Sequence, residues 1–421
     1  MQSSTLAESF FSHLRKIHSR RLGNQQRRVS TNRLLIACHH HTAPTVKPRQ
    51  STVIASTRRP QPSPTMSTGT RPSSSSAKAK APPPEPSPSA SILLLSPTNQ
   101  VLLLRRVKTS TSFASAHVFP GGNLSDFHDG PIPPAGEAGR HVDSPAYRLG
   151  AIRETFEESG ILLARRGGHM LHVPGAERDR ARKAIYENKV GFAAWVESVG
   201  GVIDTENLLP FTRWITPLGP PKRFTTQMYI YMLPLEDDDL DPVVSAAQNE
   251  ALIPTPDGGA EITSAHFDDA ATWLRRQHEG NVTLFPPQLF LLHLLSQFLT
   301  GPGAGMGKEA RGHYAEQRDR LREFLDGIPT SSKHKEHSTS SIPWAEKVIS
   351  PVMIGVREDG RSVLALDKPG RELLGSERGG DWERVVLVRF GKKGPSEVEV
   401  RDREEVLAEE RARAKVETSK L

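Results

Sequence analysis

The segment Arg153-Glu154-Thr155-Phe156-Glu157-Glu158-Ser159-Gly160-Ile161 constrains this chain more than any other. On an α-helix, with about 100° between residues and Glu154 set at zero, Glu157 falls near −60° and Glu158 near +40°. Leu149, Ile152, Phe156 and Leu163 fall on the opposite side, between about 160° and 220°. Such a helix buries one face and gathers three carboxylates on the other, which predicts exposed acidic side chains. Like charges at these spacings repel by roughly 0.2–0.5 kcal/mol per pair. A solvated face usually mixes lysine or arginine with glutamate, as residues 401–415 do. Three clustered carboxylates instead suit a hard divalent cation, Mg²⁺ or Mn²⁺. Gly160 is placed to end or bend the acidic turn.

What precedes the helix narrows the reading. Ile92–Leu95, the turn Ser96-Pro97-Thr98-Asn99 and Val101–Val107 read as a hairpin of two buried strands. Val118-Phe119-Pro120-Gly121-Gly122 ends a further strand in a glycine turn, and a Gly/Pro-rich stretch runs on to Pro145. Helical segments are predicted at about 146–164 and 177–198, strands at Arg223–Leu235 and Ile262–Phe267, and helices at Asp268–His278, Pro286–Phe298 and 306–326. Residues 328–341 have a linker's composition, and Val352–Val356, Val363–Leu366, Val385–Phe390 and Val398–Val400 suggest a small β-rich extension. Strands and helices mix without regular βαβ alternation, so the expected class is α+β.

Hairpin, Pro-Gly-Gly turn and acidic helix, in that order, resemble the Nudix hydrolase family, whose motif reads G-x5-E-x7-R-E-U-x-E-E-x-G-U with U aliphatic. Gly122, Arg153, Glu154, Glu157, Glu158, Gly160 and Ile161 match it, and Gly121 precedes it in the turn. The resemblance implies a Nudix-type α/β/α sandwich with a mixed sheet, spanning about residues 89–300. Thirty residues separate Gly122 from Arg153, so 17 are inserted relative to the motif, within 123–145. An insertion there, together with Trp214-Ile215-Thr216-Pro217, Pro221-Lys222-Arg223-Phe224-Thr225-Thr226 and Leu284-Phe285-Pro286-Pro287-Gln288, makes the chain similar to the peroxisomal coenzyme A diphosphatase branch.

The family chemistry implied is attack of water on a diphosphate phosphorus, with Mg²⁺ or Mn²⁺ held by Glu157 and Glu158. Glu154 either completes that shell or acts as the base. A base from a distant loop is the alternative, and Glu261 and Glu250 are the acids to inspect. Two departures bear on Arg153. The motif glutamate that pairs with it would stand at position 145, which is Pro145, so its role is missing or taken by an acid such as Asp143; Thr155 also replaces the aliphatic residue. Lys222 and Arg223 either meet substrate phosphates or form a solvated strand start. The implied substrate is a nucleoside-diphosphate compound, CoA or acyl-CoA first, with NADH and ADP-ribose open. A Nudix-fold module that binds without hydrolysis is the reading from another class.

Charge bears on partners. Residues 1–65 hold eleven Lys/Arg against one acid, Glu8; the remainder carries 44 basic and 47 acidic residues, so the net +7 belongs to the leader. That argues against a nucleic-acid groove in the folded body; an RNA-binding arm in the leader is the weaker alternative. Residues 1–88 read as a disordered leader, ending in Ser73–Ser76 and Pro82–Pro84. Leu6, Phe10, Leu14 and Ile17 beside Arg15, Lys16, Arg20 and Arg21 resemble a mitochondrial presequence, unless translation starts at Met66. Cys38 is the one cysteine, so neither an internal disulfide nor a thiolate zinc site can form, and Cys38-His39-His40-His41 reads as incidental. Leu289–Leu299 is too short and too interrupted to cross a bilayer. Ser419-Lys420-Leu421 reads as a peroxisomal address, implying the import receptor as partner and the peroxisome as location, with Arg411–Thr418 expected as the mobile polar stretch that presents it.

Overall fold

The computed structural model describes residues 83–107, 115–235, 252–257, 261–301, 308–391 and 394–418. The leader up to residue 82, with Met66 and the Cys38 cluster, lies outside them, as do Glu250 and Ser419–Leu421. The body begins two residues earlier than predicted: β1 spans Ser87–Leu95 and is followed by β2, Val101–Arg106. Two short strands come next, β3 (His117–Val118) and β4 (Gly121–Asn123), and then one helical turn, α1 (Asp126–Asp129). The acidic helix is α2, Pro145–Ser159. Proline at its first turn costs no hydrogen bond, and Gly160 closes it at φ 74°, a left-handed conformation that favours glycine.

β5 (Ala164–Arg166), β6 (His169–Met170) and, later, β7 (Val202–Ile203) form a three-stranded sheet. Between them the helical stretch predicted at 177–198 divides into α3, Gly175–Tyr186, and α4, Phe192–Ser198. The break falls at Asn188, which adopts φ 55°, and at Gly191, which caps α4 in an extended conformation. β8 (Leu209–Ile215), β9 (Phe224–Met232), β10 (Ile262–Asp268), α5 (Ala270–His278), α6 (Pro286–Leu295) and α7 (Lys308–Asp326) follow. The main sheet is mixed, in the order β10-β2-β1-β9-β8-β11, with β3 on β2, β4 on β1, and β11 at Val348–Ile349. β1 runs parallel to β9 and antiparallel to β4.

β1 is buried on both faces, as a central strand must be. Ile92 and Leu94 share a core with Ile152 and Phe156 of α2; Leu93 and Leu95 share another with Phe290 and Leu294 of α6. Helix, sheet and helix therefore stack as three layers. The C-terminal strands β12 (Val352–Val356), β13 (Ser362–Leu366), β14 (Asp381–Gly391) and β15 (Gly394–Asp402) form an antiparallel sheet. Val386 and Val388 of β14 join the core beneath α6. The tail departs from expectation: Arg403–Thr418 is a helix, α8, started by Asp402, whose carboxylate accepts the backbone N–H of Glu404 and Glu405. Val406 anchors it against Val363, Val385 and Leu387, so Arg411–Thr418 is helical instead of a free polar stretch. Among the described residues no helix is long and apolar enough to cross a membrane.

Candidate active site on the acidic helix

Apolar packing sets the orientation of α2. Phe156 is fully buried and stacks on Trp195 of α4 at 4.9 Å, which turns the acidic side toward β4. Arg182 of α3 donates two hydrogen bonds to the carbonyl of Glu157, at 3.0 and 2.7 Å, and the N–H of Thr255 reaches the carbonyl of Ser159 at 2.8 Å. These contacts satisfy carbonyls that the last turn of a helix leaves without partners.

Arg153 is 4% exposed and uses every N–H it has. Its Nε and Nη2 grip both oxygens of Asp129 at 2.9 and 2.8 Å, Nη2 also donates to the carbonyl of Asn123 at 3.0 Å, and Nη1 donates to Oε1 of Glu154 and Oε1 of Glu157, each at 2.8 Å. Asp129, whose side chain has no exposure, therefore does what a motif glutamate would do. Asp143 does not: it pairs with Arg148 at 2.7 Å and accepts a hydrogen bond from Tyr229. The physical reason is the path of the inserted segment. It carries α1 back over α2, and Gly150 permits the approach, since a Cβ there would lie 2.4 Å from Leu124 and 3.0 Å from Asp129. Asp129 had no sequence signal beyond being one acid among several in the insertion.

Gly121 and Gly122 run beside β1 and face the same helix. The N–H of Gly121 donates to Oε2 of Glu158 at 2.9 Å. A Cβ on Gly122 would stand 2.5–2.6 Å from the carboxylate of Glu154, so only glycine leaves room for it. Arg106 of β2 lies 3.9 Å from Glu158 and 3.0 Å from Glu261. The structure thus gathers Glu154, Glu157, Glu158 and Glu261, and adds Asp129 and Arg106. Burial and the neighbouring carboxylates push the Glu154 carboxyl up to about 7, against the pull of Arg153. Burial and Glu154 raise Glu158 well above the usual carboxylate range, partly countered by the Gly121 N–H and by Arg106.

Two expectations need correction. The acids are not an open face: the side chains of Glu154, Glu157 and Glu158 are 16%, 11% and 7% exposed, because Arg153 folds back along its own helix and the Gly121–Gly122 turn closes over them. Arg223 neither meets a phosphate nor starts a strand in solvent. It is buried, pairs with Glu372 at 2.6 Å, and donates to the carbonyls of Pro84, Thr216 and Pro217. Lys222 is exposed on the same turn.

Among the described residues no group of three His, Cys, Asp or Glu side chains has its donors converged on one point as a metal centre would. Arg153 and the Gly121 N–H hold the three glutamates instead. The donor set nevertheless fits a hard cation. Five carboxylates (Asp129, Glu154, Glu157, Glu158 and Glu261) share two contacting guanidiniums, Arg153 and Arg106. All donors are oxygens, and burial together with the uncompensated negative charge raises the proton affinity of Glu154 and Glu158.

No protein-family model matches the chain. It is similar to the putative nudix hydrolase 7 of Caenorhabditis elegans, 25% identical over 206 residues, covering 49% of this chain and 59% of the relative. It is also similar to the acyl-coenzyme A diphosphatase NUDT19 of Gallus gallus, 27% identical over 247 residues, covering 47% of this chain and 61% of the relative. The chain thus spans about three fifths of the curated relatives it matches. Among solved structures, a NUDIX hydrolase from Alicyclobacillus acidocaldarius covers 50% of this chain and 90% of its own at 23% identity and TM-score 0.38.

Proposed function

We propose that this chain, a Nudix-type hydrolase by its motif and its relatives, hydrolyses the diphosphate bond of a nucleoside-diphosphate compound, with CoA or acyl-CoA as the first candidate. One observation carries the reading: Arg153, anchored on its far side by Asp129, holds Glu154 and Glu157 by Oε1 of each, so that its hydrogen bonds do not use the second oxygen of either. Glu154, Glu157 and Glu158 would hold Mg²⁺ or Mn²⁺. When bound, the cation supplies Lewis acidity toward the phosphoryl oxygens and lowers the pKa of water. The chain's own residues do the rest. Arg153 holds Glu154 in the space that Gly122 leaves, the Gly121 N–H holds Glu158, and Glu261, with a side chain 41% exposed and tied to Arg106, would accept a proton from water. The crowded carboxylates also repel a free diphosphate, so affinity for substrate should depend on the divalent ion.

The name of the Gallus gallus relative supports the acyl-CoA choice, and the terminal Ser419-Lys420-Leu421 is consistent with peroxisomal placement. The products would be 3′,5′-ADP and a 4′-phosphopantetheine derivative. Incubation with CoA, an acyl-CoA, NADH and ADP-ribose under Mg²⁺ or Mn²⁺ tests the proposal by product analysis. Failure to turn over CoA or acyl-CoA while another substrate is cleaved replaces the substrate; failure on all four refutes the enzyme reading. Glu157→Gln should lower turnover by at least about 100-fold, and near-normal turnover would remove that residue from the site.

A further inference from the structure

Behind the main sheet, on the face opposite the acidic helix, lies a cleft of about 390 Å³ lined by Arg105, His117, His266, Arg275, Arg276 and Asn281, among others. Its separation from the acidic helix follows from strand alternation. Arg106 of β2 points to Glu158 and Glu261, so its neighbour Arg105 points the other way. The core divides along the same line: Leu102 and Leu104 pack with α2, and Val101 and Leu103 pack with Trp273 of α5, which floors the cleft at 2% exposure.

The lining carries a net positive charge. Three guanidiniums face one lining carboxylate, Glu279, which lies 3.8 Å from Arg275; Asp268 holds Arg276 from the side at 2.8 Å, and two imidazoles complete the polar wall. Arg105 makes no ion pair with a described carboxylate. Arg276 lies over the Trp273 ring at 5.3 Å, so its guanidinium is held by both contacts. His117 is fixed as well: its Nδ1 accepts the N–H of Thr283 at 3.4 Å, which leaves Nε2–H as a donor. Burial, Arg105, His266 and Arg276 hold the imidazole down to about 4, so at neutral pH it donates without adding charge. Charge-assisted donors of planar guanidinium geometry beside neutral N–H donors are the chemistry that recognises a phosphate. The volume lies in the range of small-molecule sites.

We propose that this cleft is a second anion site, which binds a phosphate monoester, free or carried on a nucleotide, independently of the carboxylate cluster. The proposal does not rest on the proposed reaction. Isothermal titration of the full chain, without divalent ions, with inorganic phosphate and with adenosine 3′,5′-bisphosphate tests it. Saturable binding is expected that weakens about tenfold or more in Arg105→Gln and in Arg276→Gln and persists in Glu157→Gln. Arg105 is exposed, so its replacement leaves the fold intact. Tighter binding of the bisphosphate assigns the cleft to a nucleotide, and equal binding assigns it to phosphate alone. No saturable binding, unchanged binding in both arginine variants, or loss of binding in Glu157→Gln overturns the proposal. The last result would locate the anion at the acidic helix instead.

Discussion

Replacing Asp129 by asparagine isolates the contact on which the acidic site depends. The side chain keeps its shape and place on α1, but its charge goes and an amide NH₂ must face Nε or Nη2 of Arg153, donor against donor. Both partners are buried, at 5% and zero side-chain exposure, so solvent cannot take over. Breaking a buried pair from one side costs about 3–5 kcal/mol, and the retained shape places this variant near the lower end. Arg153 then holds Glu154 and Glu157 less firmly, and loss of such a supporting partner typically costs about 10–100-fold in metal affinity or activity. Expected together are a clear fall in the unfolding midpoint, a 10–100-fold loss of kcat/KM under saturating Mg²⁺ or Mn²⁺, and a higher metal concentration for half-activation. Asp143→Asn is the control, since Asp143 serves Arg148 and Tyr229 at partial exposure. If Asp129→Asn matches the parent chain in rate and midpoint, or if Asp143→Asn damages catalysis more, the assignment of Asp129 as the partner of Arg153 is refuted.

Gly122→Ala drives a methyl group into the Glu154 carboxylate and should reduce kcat by about 100-fold with the fold retained, as an ångström-scale misplacement does; a rate close to that of the parent chain contradicts the close approach. Glu154 has a raised pKa, so the folded metal-free chain binds more protons than the unfolded chain between about 4.5 and 7, and the Glu154 contribution to stability falls as pH rises through that window. Thermal midpoints of the parent and Glu154→Gln measured across it should converge or cross in the variant's favour toward pH 7, and a pH-independent difference rules this out. Arg223→Ala should destabilise by about 3–5 kcal/mol by leaving Glu372 without its cation, with KM unchanged; a raised KM at unaltered stability would restore Arg223 to the substrate site.

The sequence by itself determined the elements whose signal is local. The apolar run of β1, the three acids and opposite apolar face of α2, the glycine that ends that helix, and the Pro-Gly-Gly turn are written in spacing and residue type. Periodicity sees which residues share a face of one helix. It does not see what lies over that face. Tertiary structure decided that the acids are enclosed, because Arg153 turns back on them while Asp129 anchors its far side. It also decided which acid of a long insertion does so, since Asp129 and Arg153 meet through space across 24 residues. Arg223 passed from a candidate phosphate ligand to a buried tie for the same reason: its partner Glu372 stands 149 residues away. Contacts between segments distant in sequence leave no period to read, and these contacts fix the charge and burial on which the chemistry depends.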